Sequence, residues 1–186
     1  MQRMDTKSIL SAISIATLAA CVYGCSTAPT TQQGKVQLHD KVEQTIDRFK
    51  QQDPSLKRFF RSAYGYAVFP TVAKGGVGVG GAYGKGELFE GGQATGYCDL
   101  SQGSIGFQLG GQAYSELIFF QTKQALDRFK SGNFAFSAQA SAVAATAGAS
   151  ADADYESGVA VFTQAKGGLM YEASIGGQKF DFEPRP

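Results

Sequence analysis

Residues 66–89, YAVFPTVAKGGVGVGGAYGKGELF, decide the architecture. An apolar run over 66–69 is closed by Pro70. Val77-Gly78-Val79-Gly80 then alternates with period two, and residues 83–89 continue the alternation. Period two is the spacing of a strand, whose successive side chains point to opposite faces. The stretch Gly76-Val77-Gly78-Val79-Gly80-Gly81 also spells GxGxxG, but a dinucleotide site requires a helix directly behind the first glycines. Ala82-Tyr83-Gly84-Lys85-Gly86-Glu87 is a poor helix former. The glycines therefore read as a strand face that a backbone, a helix or an acyl chain can approach closely.

The same reading extends along the chain. There are 24 glycines in 186 residues and no Trp, about twice the typical ~7% of glycine and without collagen period. Further strand candidates lie at 93–100, 104–120, 134–151, 159–162, 169–175 and 179–182, with Gly-Gly turns at 91–92, 110–111 and 176–177. The Gly110-Gly111 pair reads equally as a bulge inside a long strand. Three helices stand between the strands. Leu38, Val42, Ile46 and Phe49 form one helical stripe. Asp53-Pro54 opens the second helix, with Leu56, Phe59, Phe60 and Ala63 on one side and Lys57, Arg58 and Arg61 on the other. The third runs from Thr122 through Ala125, Leu126 and Phe129 to Gly132.

A weak repeat links the halves: Ile46-Asp47-Arg48-Phe49-Lys50 returns as Leu126-Asp127-Arg128-Phe129-Lys130. Ala67-Val68-Phe69 with Ala73-Lys74-Gly75-Gly76 returns as Ala160-Val161-Phe162 with Ala165-Lys166-Gly167-Gly168. The expectation is one α+β domain over 35–186. It is a Gly-rich antiparallel β-barrel or strongly curved sheet with about three packed helices.

The N-terminus reads as a targeting segment. Arg3 and Lys7 precede an apolar run at 9–20 that is too short to span a bilayer. Leu18-Ala19-Ala20-Cys21 resembles a bacterial lipobox. Residues 1–20 are then a signal peptide, and Cys21 carries acyl chains such as palmitate. Cleavage before Cys25 is the alternative, disfavoured by bulky Tyr23. Each buried methylene contributes about 0.8 kcal/mol, so two or more chains hold a protein at a membrane. The absence of Asp after the cysteine favours the outer membrane, facing the periplasm. Polar residues 26–34 complete a flexible tether over 21–34.

Composition excludes several classes. Net charge is +1, an excess that Arg3, Lys7 and Asp5 account for. A neutral domain is a poor nucleic-acid partner, because phosphate neutralisation supplies most of that affinity. His39 is the sole histidine, and no GxSxG, HExxH, CxxC or SxxK spacing occurs. No catalytic residue, metal site or cofactor is expected, and the chain is read as a non-enzyme. Cys98 reads as a small buried strand residue. Asp152, Asp154 and Glu156 read as a solvated turn rather than a cation site.

The blocks Ala67-Val68-Phe69-Pro70, Ala73-Lys74-Gly75-Gly76, Gly78-Val79-Gly80-Gly81 and Tyr83-Gly84 resemble the core signature of the SYLF domain family. GFQLGGQAY at 106–114, Phe119-Phe120 and Lys166-Gly167-Gly168-Leu169-Met170 do so as well. The resemblance covers about residues 36–182 and implies a non-enzymatic domain that binds membrane phospholipids. By role, it places lipid contact on Lys57, Arg58, Phe59, Phe60 and Arg61, with Lys74 beside the glycines. The residues alone leave the second helix open between an interfacial role and ordinary core packing. The alternative function is a structural or partner-binding envelope lipoprotein without lipid specificity.

Overall fold

The architecture comes from a computed structural model. It describes residues 27–77, 79–105, 110–132, 134–136, 141–166 and 173–186. The leader, Cys21, Cys25 and the second Gly167-Gly168 pair lie outside these.

Helix α1, Gln32–Gln52, starts where the Thr31 side chain accepts a hydrogen bond from the Gly34 amide. Its stripe of Val42, Ile46 and Phe49 is buried as the spacing predicts. Asp53 caps a 3₁₀ turn, Pro54–Leu56, which runs into the short α2, Lys57–Ser62. The strands follow as β1 (Gly65–Val77), β2 (Val79–Glu90), β3 (Gln93–Ile105) and β4 (Gly110–Phe120). After α3 (Lys123–Lys130) come β5 (Ser141–Ala144), β6 (Val159–Lys166), β7 (Ala173–Ser174) and β8 (Gln178–Pro184). The Thr122 hydroxyl caps α3 by accepting from the Ala125 amide at 3.2 Å. Thr122→Ala is expected to cost about 1 kcal/mol, readable as a lowered urea midpoint with unchanged slope.

Among the described residues eight strands form one sheet in the order β7-β5-β6-β4-β1-β2-β3-β8. The β2–β3 turn is the Gly91-Gly92 pair, with φ of 56° and 81°. Both are left-handed, as a two-residue hairpin turn matched to strand twist requires. Every named strand pair is antiparallel except β5–β6, which is parallel at Val143↔Phe162 and Ala144↔Thr163. The expected all-antiparallel sheet is thus mixed, because the long 145–158 connection crosses back before β6 begins.

Pro70 in a central strand would cost a ladder hydrogen bond, and a bulge absorbs it. Pairing with β2 jumps from Val68↔Glu87 to Thr71↔Lys85. The Ser115 hydroxyl meanwhile donates to the Pro70 carbonyl at 2.8 Å. The bulge drives the Val68 carbonyl across β2, where a Cβ on Gly86 would lie 2.3 Å from it. Only glycine fits there.

Curvature follows. The two outermost strands, β7 and β8, are joined by the turn at 175–177, so the sheet edges must approach each other. Ile175 from one edge and Phe180 from the other share a core with Phe69, Leu100, Ile118 and Phe129. That cluster therefore marks the concave face. The convex face packs Val68, Leu117, Phe119 and Phe162 against α1 and α2. The strongly curved sheet is observed. Closure into a barrel is not: among the described residues no pairing joins β7 to β8, and Ala135 bridges Lys179 of β8.

The repeat has a structural counterpart. β1 and β6 both pair with β4 and flank it. Phe49 of α1 shares the convex cluster with Val68, whereas Phe129 of α3 shares the concave one with Val161. Each half sets its helix on the face of its own Ala-Val-Phe valine, so the two helices lie on opposite faces.

The tether expectation over 21–34 is corrected for its described part. Thr27 and Ala28 are buried. The Lys85 ammonium donates to the Thr27 carbonyl at 3.0 Å, and the Ala28 amide to Glu183 Oε2 at 3.0 Å. Gln32 already belongs to α1.

Candidate functional site

The loop between β5 and β6 is held from below. Asp53 is fully buried, and its carboxylate accepts from the amides of Ser55 (3.1 Å), Gly148 (3.3 Å) and Ser150 (2.8 Å). Burial alone would raise its pKa. The hydrogen bonds from Ser55 and Ser150 outweigh that and leave it below the usual value. Arg58 donates to the carbonyl of Ser150 at 2.9 Å and to that of Ala153. Its guanidinium lies 4.5 Å over the Phe59 ring, and Phe59 in turn meets Tyr155 and Phe162 at 5.3 and 4.9 Å.

Above this loop lies a cavity of about 660 Å³. It exists because β6 lacks a full neighbour. β5 pairs with β6 at Phe162 and Thr163 and Glu156 bridges Val159, so between them residues 160–161 have no strand partner on that side among the described residues. Phe134, Phe136, Val143, Val161 and Ile175 supply apolar lining. Val143 is 37% exposed, a large apolar side chain left open in this wall. Asp152, Asp154, Glu156 and Arg128 supply the polar part. The volume falls in the range of ligand sites, roughly 300–1,000 Å³.

The residues expected to meet lipid are dispersed. Phe59 is 2% exposed and belongs to the core, since its apolar stripe has Phe119 and Phe162 to cover it. Its expected contact with acyl chains is corrected accordingly. Phe60 is half-buried, edge-on to Tyr66 and Phe119, with the Lys50 ammonium 4.6 Å from its ring centroid. Arg58 is spent on loop carbonyls rather than open to phosphates. Lys57 and Arg61 are exposed. Lys74 is half-buried on β1, nine residues beyond Gly65 and thus about 30 Å along the strand from α2. The structure does not bring it to the helix.

A different basic group does assemble. Burial lowers the pKa of Lys166, and Arg48 and Lys41 of α1 push it the same way. Its ammonium donates to the Thr71 hydroxyl at 2.6 Å. Sequence spacing hides this group, because α1 and β6 are far apart in the chain.

Inside the concave face, Glu116 is fully buried. Gln178 Nε2 donates to its Oε2 at 3.0 Å, while its Oε1 has no partner. Burial raises its pKa to about 7, against the lowering effect of Gln178 and Tyr114. His39 and Arg185 both engage the buried Glu87, His39 at 2.8 Å. Cys98 is buried, as expected, and burial raises its thiol pKa well above the usual value. Among the described residues, no group of His, Cys, Asp and Glu could hold a metal ion, and no helix is long and apolar enough to cross a membrane.

The fold and cavity define a class: an α+β domain built on a curled, open sheet, with an apolar chamber beside an unfinished strand edge. Within that class, residues 101–184 match the family model described as Ysc84: Las17-binding protein actin regulator. That match takes in the blocks at 106–114, 119–120 and 166–170 on which the SYLF resemblance was read, and bears the resemblance out there; the blocks over 67–84 lie outside it. The chain is also 27% identical over 163 residues to "Beta cell expansion factor A" of Aeromonas veronii, covering 81% of this chain and 58% of that protein. It therefore spans less than two thirds of that relative.

Proposed function

We propose that this chain is a non-enzymatic phospholipid-binding domain of the bacterial cell envelope, anchored through acylated Cys21 or Cys25. The observation that carries the reading is the cavity of about 660 Å³ beside β6, walled by Phe134, Phe136, Val143, Val161 and Ile175. An apolar chamber opening at a sheet edge suits the acyl part of a lipid, whose burial is driven by apolar area removed from water. Exposed Lys57 and Arg61 add long-range attraction to anionic surfaces. The matched family's description speaks of an actin regulator, but the cavity's lining favours a lipid over a protein surface.

Flotation with phospholipid vesicles tests this on residues 27–186. Val143→Trp, which fills the exposed wall, is expected to reduce bound protein at least tenfold. Lys57→Glu with Arg61→Glu is expected to weaken only binding to anionic vesicles, by a few fold. Full binding by a folded Val143→Trp variant would refute the cavity as the lipid site.

A further inference from the structure

Along residues 152–156 exposure alternates: Asp152, Asp154 and Glu156 are exposed, Ala153 and Tyr155 half-buried. Ala153 and Tyr155 pack toward the convex cluster. Arg58 holds the Ala153 carbonyl and Phe59 receives the Tyr155 ring. The intervening Asp152, Asp154 and Glu156 are exposed, and all three line the cavity. None of them forms an ion pair among the described residues. The one cation in the described lining is Arg128, one of whose amino groups donates to the Ser157 carbonyl at 3.2 Å. Three carboxylates against one guanidinium give the polar wall a net negative charge beside an apolar one.

That pattern selects among lipids. A phosphoglycerol head carries only negative charge and meets like charge at this wall. A phosphoethanolamine head presents a primary ammonium with three N–H donors, which carboxylates accept as charge-assisted hydrogen bonds. Its phosphate has Arg128 as a counter-charge. A choline head carries the charge without the donors. Resting on the lipid-binding reading above, we infer that the cavity takes a phosphoethanolamine lipid, with its ammonium on Asp152, Asp154 and Glu156. Arg58 and Phe59 are positioning residues: they pin the loop so that the carboxylates face the lipid. The acidic cluster that sequence reads as a solvated turn thereby gains a role, and the helix expected to touch lipid acts through the loop it holds.

The test incubates the purified full chain with vesicles containing equal amounts of phosphatidylethanolamine and phosphatidylglycerol in phosphatidylcholine. Lipid retained per protein is then quantified by mass spectrometry. The expected result is phosphatidylethanolamine enriched at least fivefold over phosphatidylglycerol. Asp152→Asn with Asp154→Asn and Glu156→Gln is expected to bring that ratio near one. These side chains are exposed, so folding is not at stake. Arg58→Ala is expected to reduce the enrichment as well, and Arg58→Lys to restore part of it. Equal or greater retention of phosphatidylglycerol, or a triple variant that keeps the preference, overturns the head-group assignment while leaving lipid binding standing. Retention of no lipid from any vesicle overturns the function itself.

Discussion

Replacing Asp53 with Ala is expected to lower the free energy of unfolding by about 4 kcal/mol. The change strands the amides of Gly148 and Ser150, at 3.3 and 2.8 Å, and removes the cap on Ser55 at 3.1 Å. A buried donor left without a partner costs about 1–3 kcal/mol, and a lost cap about 1 kcal/mol more. Asp53→Asn keeps the shape and one acceptor and is expected to cost about half as much. The carboxyl titrates below its ordinary value in the fold. Its contribution is therefore complete above the unfolded pKa near 4 and lost as pH falls through the lower folded value. Urea titrations at pH 7 and pH 3 check both points. The gap between wild type and Asp53→Ala should be wide at pH 7 and narrower at pH 3. An equal gap at both would mean the carboxylate charge contributes nothing.

Glu116 predicts the opposite pH dependence. Its carboxyl is fully buried on the concave face, with one oxygen unpartnered, and titrates near 7 rather than at the ordinary 4.5. A raised acid favours the fold while neutral. That advantage is complete below the unfolded pKa and disappears as pH climbs through about 7. A shift of this size corresponds to about 3 kcal/mol. Glu116→Gln removes the ionisation and keeps the shape. The variant is expected to melt within about 2 °C of wild type at pH 5 and roughly 5–10 °C higher at pH 8. A melting difference that does not change with pH would show that Glu116 is not held neutral inside the sheet.

Much of this was legible in the chain. The stripe of Leu38, Val42, Ile46 and Phe49, the Asp53-Pro54 start and the Gly91-Gly92 turn rest on local spacing and local dihedral demands, and all three appear as read. Gly110 and Gly111 lie within β4, paired with Gly76 and Gly75, instead of forming a turn. The cavity was not legible. Residues 134–151 read as one strand, but among the described ones only Ser141–Ala144 form a strand, with Ala135 in an isolated bridge. The edge that remains free depends on which distant strand pairs with β6, and no local period encodes that. The same limit explains α2. Its cationic and aromatic pattern fits a membrane surface and a core equally well. Loop carbonyls over Arg58 and rings around Phe59 decided for the core. Asp152, Asp154 and Glu156 carried a readable alternation, but nothing in the sequence says that Tyr155 is the side chain that turns inward.

The most direct measurement is the phospholipid carried by the full chain when purified from cells, quantified against the Val143→Trp variant. The prediction is about one phospholipid per wild-type chain and strong depletion in the variant, with both proteins showing the same circular dichroism. A wild-type chain free of lipid, or a folded variant carrying as much as wild type, would contradict the assignment of the chamber beside β6.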